Sequence, residues 1–542
     1  MAKIRFNRQS FEKEFKLDEK TLSRLNLFGT TVETLDAEEL ELEIPANRPD
    51  LFSLKGLIRA FRAFEGKKNS MQSYKRINAK EYIVFVDKSV KAIWPHTSCA
   101  IVKGLSLTTG DVQELVSLQE KLSATLGRNR KKAGIGIYPL DKITFPITYE
   151  ARKPADIIFQ PLGSQKPITA EHILQKHPVG KEYASVLKNA IRYPIFVDAH
   201  KRIMSMPPII NSEETGRVTE KTKEVFIECS GVSKSAVEKM LVIVCAELID
   251  RGGTIYGATI KDEITSITPS FEIRNMKIKK ENLEKLLGIT FSEKELEKLL
   301  ARMGLEYKSK EKSVSIPPWR NDILHEVDIA EDALIAYGYN NLEPHIPEIA
   351  TIGASTCTTA KKSKIQNILN GLGMMELSSL HFITREEAER ILEKKPLELE
   401  NPRTEYAFLR PNLTIPLLRT LAANRDVEYP QHVYEIGTIF YPNAHQDTGI
   451  EETEHLVIGI TPGNFTKAKQ ILDYFMRMQG IEYTLKEADV PGLIAGRTGH
   501  ILINDEVIGH IGEVHPTTLR AWKLKMPLAI IEIKLEPFLK EK

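Results

Sequence analysis

The chain has 542 residues, too many for one small module, and at roughly 150 residues per domain it predicts about three to four domains. Apolar residues at 42% and charged residues at 27%, with 75 Lys+Arg against 73 Asp+Glu, exclude a disordered or fibrous chain. A formal net charge of +2 leaves any nucleic-acid surface to a local patch on a balanced background.

The first 15 residues, MAKIRFNRQSFEKEF, break every apolar stretch with a charge, which speaks against a signal peptide, and the longest apolar run, Met240 to Ala246, is too short for a bilayer. Cys99, Cys229, Cys245 and Cys357 lie far apart with no CxxC pair, so neither a disulfide framework nor a structural zinc site is expected. A protein of the reducing cytoplasm, with no membrane partner, fits these features.

Residues 1–85 predict a helix over Ser10 to Leu25, then a strand in which Leu40, Leu42 and Ile44 alternate with Glu before Pro45. A helix follows, capped by Asp50, with Leu54, Leu57, Ile58 and Phe61 at helical spacing and Gly66 as its stop. Over residues 86–268, β-branched runs (GIGIYPL from Gly134, YPIFVD, EVFIECSG, TIYGATI) alternate with helices and predict an α+β domain. Its clearest helix is Ser233 to Asp250, where Val237, Leu241, Val244, Cys245 and Leu248 form one stripe.

Residues 269–347 read as helix, helix, hairpin, helix, a small winged-helix-like module. Ser292 and Glu295 form a capping box for its second helix, LEYKSKEKSVSIPP is the hairpin, and the last helix runs from about Ile323 to Tyr337. Residues 348–542 mix helices (Lys362 to Leu372, Lys467 to Met478) with strands in HVYEIGTIFY, HLVIGI and LAIIEIKL, which predicts an antiparallel sheet with flanking helices. The fold class is therefore α+β and multidomain.

Three constellations could carry chemistry. In PPWRNDILHEVDIAED, Asp328, Glu331 and Asp332 stand at i, i+3 and i+4 on one helix face, with Asp322 about two turns before them. Oxygen-only donors of this kind suit magnesium or calcium, and they equally suit a solvated acidic face with Asp322 as a cap. In GRNRKK, Arg128, Arg130, Lys131 and Lys132 form either a phosphate clamp or a solubilising loop. Between two apolar strands, Ser205, Asn211, Glu228 and Ser230 could line a pocket that selects a hydroxylated substrate, or belong to a polar turn region. No GxxxxGK[ST] loop, HExxH helix or GxSxG elbow is present.

Taken in order, NRPDL at Asn47, TLGRNRKKAGIGIYPLDKI from Thr125, the Tyr193 to Gly231 segment, PPWRNDILHEVDIAEDALIAYGY from Pro317, and VYEIGTIF with IGHIGEVHP resemble the β subunit family of archaeal-type phenylalanyl-tRNA synthetases across essentially the whole chain. The resemblance implies an (αβ)2 tetramer that attaches phenylalanine to its tRNA with ATP and Mg2+, the α subunit binding ATP and phenylalanine and performing the ligation. It implies that the β chain contacts tRNA, through Arg128, Arg130, Lys131 and Lys132 among others, and hydrolyses mischarged tyrosyl-tRNA in a middle editing domain, with Ser205, Asn211, Glu228 and Ser230 in the pocket. Asp322, Asp328, Glu331 and Asp332 become magnesium ligands, Asp332 standing where Glu is common.

By the same resemblance, residues 348–542 form a class II synthetase-like, non-catalytic domain that packs against α. NPRTEYAFLRPNLTIPLLRTLAANRDVEYPQHVYEIGTIF is similar to a motif 2 strand pair, yet Pro411 and Asn412 follow Arg410 in place of the x-Glu that ATP binding needs. The length leaves no room for the bacterial-type oligonucleotide-binding and anticodon-binding appendages. Two rival readings keep fewer of these features: a free-standing hydrolase of mischarged tRNA, and a nucleic-acid-binding scaffold without hydrolysis.

Overall fold

The computed structural model describes residues 2–67, 71–390 and 396–539. The chain divides into two compact units, residues 1–346 and 347–542.

Unit one opens with a three-stranded antiparallel sheet in the order Ala2–Asn7, Glu39–Ile44, Thr31–Leu35. The alternation in ELELEI works as expected: Leu40, Leu42 and Ile44 are buried on one face. The single helix expected over Ser10 to Leu25 is two, Arg8–Glu12 and Glu19–Leu27, because the Asp18 carboxylate accepts from the Thr21 amide and starts a new helix there. The Leu54–Phe64 helix is capped by Ser53 and not by Asp50, whose carboxylate is held by Arg48 through two bonds of 2.9 Å.

Ile77–Val86, expected in the first 85-residue unit, lies inside a ten-stranded sheet, parallel to Thr254–Lys261 and to Ile147–Arg152. The sheet runs from Ile210–Asn211 and Ile203–Met206 at one end, through Tyr193–Val197 and those three strands, to His96–Lys103, Val225–Gly231 and Ala133–Pro139 at the other. Its two ends nonetheless approach each other: the Tyr138 hydroxyl, on one terminal strand, lies 2.7 Å from Ser205 Oγ near the other. The Lys234–Asp250 helix covers one face. It is buried almost all round from Met240 to Leu248, more than the one stripe expected, because the Leu54–Phe64 helix packs on its outer side. The opposite face carries an aromatic core of Tyr138, Tyr149, Phe196, Phe226 and Trp94.

The rest of unit one joins helices Lys280–Leu287, Glu293–Arg302 and Glu326–Tyr337 to a sheet of Arg274–Lys277, Ser313–Ile316 and Glu306–Lys308. The Ser292–Glu295 capping box is formed. The last helix starts at Glu326, not near Ile323, so Asp322 lies in the loop ahead of it.

Unit two is built on a seven-stranded sheet, ordered Met375–Glu376, Gln431–Pro442, Ile450–Thr461, Ala529–Lys534, Glu506–Val514, Leu493–Ile503, Thr484–Glu487, antiparallel except for the first pair. Helices Cys357–Gly371 and Phe465–Gln479 cover one face and Thr414–Ala423 contributes to the core on the other. The expected strand pair around Arg410 is a strand, a helix and a strand: Tyr406–Leu409 pairs with Phe382–Thr384, and Gln431–Pro442 pairs with Ile450–Thr461. Arg410 is buried and bonds Glu435 at 2.7 Å, Ser379 Oγ at 2.9 Å and the Thr438 carbonyl at 2.8 Å.

Candidate functional site

Where the two ends of the large sheet meet, a cavity of about 450 Å3 is lined by Gly134, Pro207, Pro208, Asn211, Arg130 and Glu228 among others. Strand alternation decides which groups serve it. On Val225–Gly231 the odd-numbered Val225, Ile227 and Cys229 join the helix-covered core, so Phe226, Glu228 and Ser230 project from the opposite face. The neighbouring strand pairs Gly136 with Glu228, Gly134 with Ser230 and Tyr138 with Phe226.

Glu228 is 2% exposed. The Tyr138 hydroxyl lies 3.2 Å from Glu228 Oε1, 2.7 Å from Ser205 Oγ and 3.4 Å from Asn211 Oδ1, so it ties together three of the four residues expected in the pocket. Glu228 Oε2 and Ser230 Oγ make no hydrogen bond of good geometry, although the Ser230 hydroxyl lies near enough to the carboxyl to favour its charged form. Burial pushes the Glu228 carboxyl up to about 8, against the pull of the Ser230 and Tyr138 hydroxyls. The groups around it offer no cation: the Cys99, Tyr138 and Tyr149 pKa values are pushed well above their ordinary range by burial and by the Glu228 charge. The site can therefore hold a neutral carboxyl at neutral pH beside a second unpaired hydroxyl.

The basic loop differs from an open phosphate clamp. Arg128, Asn129 and Arg130 follow one another at φ of 48°, 52° and 61°, a left-handed turn that costs non-glycine residues about 1 kcal/mol each or more. The turn carries Arg130 toward the cavity. There its guanidinium donates to the Pro208 and Ile209 carbonyls at 3.1 and 2.8 Å and lies 4.0 Å over the Tyr183 ring. Arg128 and Lys131 are exposed and Lys132 is half-buried.

The four acidic residues of the last helical segment do not converge within this chain. Arg320 donates to Asp322 at 2.7 Å and to Asp332 at 2.6 Å. Burial pushes Asp332 up to about 6 against the pull of Arg320. Asp328 Oδ2 accepts from the Leu324 and His325 amides at 2.6 and 2.7 Å and closes the helix start, while Glu331 is exposed. Among the described residues no group of three or more His, Cys, Asp or Glu side chains could hold a metal. As an intrachain magnesium cage the set does not fit, because one guanidinium already neutralises two of its carboxylates.

Residues 276–339 match the family model described as tRNA synthetase B5 domain, and residues 342–535 match that of the phenylalanyl tRNA synthetase beta chain CLM domain. The chain is 36% identical over 503 residues to the phenylalanine–tRNA ligase beta subunit of Thermococcus sibiricus, covering 91% of this chain and 90% of the relative. The chain belongs to the phenylalanyl-tRNA synthetase β-subunit family. The corresponding protein of Archaeoglobus fulgidus is 34% identical over 529 residues, 95% of each chain. A crystal structure of an N-terminal fragment of the Pyrococcus horikoshii phenylalanyl-tRNA synthetase β subunit covers 62% of this chain and all of that fragment, at 32% identity and a TM-score of 0.59.

In this synthetase family member, sequence reasoning missed Tyr138, Gly134 and Gly136. Their signal was present, since G-x-G-x-Y places all three on one face of a strand. A Cβ on Gly134 would meet Pro208 Cβ at 2.9 Å, and one on Gly136 would come within 2.6 Å of Glu228 Oε1 and closer still to the Tyr138 hydroxyl. Gly134 leaves the cavity its width at that wall, and Gly136 leaves room for the Tyr138 and Glu228 side chains to meet. Among the described residues no helix is long and apolar enough to cross a membrane.

Proposed function

We propose that this β subunit works with an α subunit in an (αβ)2 phenylalanine–tRNA ligase in the cytoplasm, the α chain binding ATP and phenylalanine. We also propose that its ten-stranded domain is an editing domain that hydrolyses mischarged tyrosyl-tRNA. The observation that carries the editing reading is the unpaired Glu228 Oε2 at a cavity large enough for an aromatic side chain, with the equally unpaired Ser230 Oγ behind it on the same strand face. Tyrosine differs from phenylalanine by one hydroxyl. A buried carboxyl and hydroxyl without partners gain two bonds from a phenol and none from a phenyl ring, the arrangement that separates such pairs by about 10^4 to 10^5.

In this reading the chain's own residues bind and orient: Glu228 and Ser230 hold the phenol, and Asn211 with the polar rim of the cavity holds the aminoacyl ester while water attacks its carbonyl. The exposed Arg128 and Lys131 serve as tRNA phosphate contacts. A magnesium ion, if it belongs to the assembly, would be held by Asp328 and the exposed Glu331 with oxygens supplied from outside this chain, as a structural ion. The winged-helix-like description of residues 269–347 and the class II-like description of residues 348–542 belong to the same proposal. The test is deacylation of tyrosyl-tRNA by the full chain in its native complex, compared with the Glu228→Ala/Ser230→Ala double variant. Loss of hydrolysis is expected, and hydrolysis that survives the double substitution overturns the assignment of the pocket.

A further inference from the structure

We propose that Tyr138 is a positioning residue for tyrosine discrimination: its hydroxyl engages Oε1 of Glu228 and so reserves Oε2, with the Ser230 hydroxyl, for the phenol of the substrate. The proposal rests on the editing reading above and adds a residue and a mechanism to it.

Register explains how the contact arises. Directly opposite Glu228 on the adjacent strand stands Gly136, which has no side chain, and Tyr138 is the next residue on that face. The phenol reaches back over the empty position, and its oxygen comes within 3.2 Å of Glu228 Oε1 and 2.7 Å of Ser205 Oγ. A phenol has one proton. The Tyr138 hydroxyl has Ser205 Oγ, Glu228 Oε1 and Asn211 Oδ1 as alternative acceptors for that proton, and so links Ser205, Asn211 and Glu228 in one buried polar group. The carboxyl is thereby fixed about its last torsion, a broad one that packing alone does not fix. Its second oxygen stays unpaired, and so does Ser230 Oγ, on the same face of the same strand. Tyr138 itself is fully buried and its hydroxyl is already engaged with Ser205, Asn211 and Glu228, so it acts through Glu228 and does not bind the substrate.

Gly136 belongs to the same device. A methyl group there would fall on both the Tyr138 hydroxyl and Glu228 Oε1. Gly136→Ala therefore disturbs the pair without deleting a hydrogen-bonding group, and Tyr138→Phe deletes the bond without adding bulk.

The experiment compares hydrolysis of tyrosyl-tRNA and phenylalanyl-tRNA by the full chain in its native complex, for wild type, Tyr138→Phe, Gly136→Ala, Glu228→Ala and Glu228→Ala/Tyr138→Phe, with thermal melts to confirm folding. Tyr138→Phe and Gly136→Ala are each expected to lower kcat/KM for tyrosyl-tRNA about tenfold, the scale of one buried hydrogen bond, in kcat and without a change in KM for the tRNA. The double variant is expected to be no slower than Glu228→Ala, since Tyr138 has nothing left to position. A purely structural Tyr138 would instead slow both substrates alike and add its loss to that of Glu228→Ala, which overturns the proposal. So does a wild-type tyrosine-to-phenylalanine ratio in both Tyr138→Phe and Gly136→Ala while Glu228→Ala is inactive. Undiminished hydrolysis by Glu228→Ala overturns the editing assignment itself, and the role of Tyr138 with it.

Discussion

Replacing Glu228 by Gln tests the electrostatics of the cavity directly. The folded protein holds this carboxyl at a pKa of about 8, from an ordinary value of 4.5, chiefly because its burial brings no compensating cation. Between those two pH values the unfolded chain ionises Glu228 and the folded chain does not. Folding then takes up a proton, so the stability linked to this group is fully present below pH 4.5 and is lost as pH rises toward 8. At about 1.4 kcal/mol for each pH unit the full span is worth about 5 kcal/mol, of which about 3 kcal/mol falls between pH 5.5 and pH 8. Glutamine keeps the shape and cannot ionise.

The assay is urea unfolding of wild type and Glu228→Gln at pH 5.5, 7 and 8.5. The fluorescence of Trp94, buried in the aromatic core on the same face of the sheet, reports the transition, and Trp319 and Trp522 are replaced by Phe in both proteins. Other groups that titrate in this range, Glu114 and Glu247 among them, cancel in the difference between the two proteins. The variant is expected to gain on wild type by about 3 kcal/mol across the range. A difference that does not change with pH would refute the reasoning, and would mean that water or a cation reaches the carboxylate.

Further outcomes follow from the other buried charges. Arg410→Met strands Glu435 in the core of residues 347–542 and should cost about 3–5 kcal/mol in urea unfolding, most of it recovered when Glu435→Leu is added. Arg320→Ala leaves Asp322 and Asp332 without their shared cation and should destabilise residues 1–346 by a similar amount. The chain by itself should meanwhile melt alike in magnesium and in chelator; a magnesium-dependent melt would show that the carboxylates leave Arg320 for the metal. Arg130→Lys keeps a charge but cannot bridge two carbonyls while lying flat on Tyr183, so tyrosyl-tRNA hydrolysis should fall several-fold with tRNA affinity unchanged. A matching loss of tRNA affinity would return Arg130 to a phosphate-binding role.

The sequence by itself determined much that is local. The ELELEI alternation places Leu40, Leu42 and Ile44 in a core, the Ser292–Glu295 capping box opens a helix, and the apolar run after Ser233 is a helix, because each depends on residues within one turn or one strand. The motif order also carried the family. Even the odd and even split of VFIECSG, which sets Glu228 and Ser230 on one face, can be read from the period of a strand.

What only the tertiary structure decided are the partners of charged groups and the meeting of distant strands. The acidic face of the last helix read as a ligand set because its carboxylates share a face; three dimensions bring Arg320 between Asp322 and Asp332 and turn Asp328 onto the backbone. The basic run read as an exposed cluster, and a left-handed turn sends Arg130 inward. Tyr138 and Ser205, 67 positions apart, meet because the sheet curls its two ends together. Secondary structure follows from short-range sterics and periodicity, whereas the partner of a buried charge or hydroxyl is whichever group the packed core happens to leave within 3 Å, and no spacing along the chain encodes that distance.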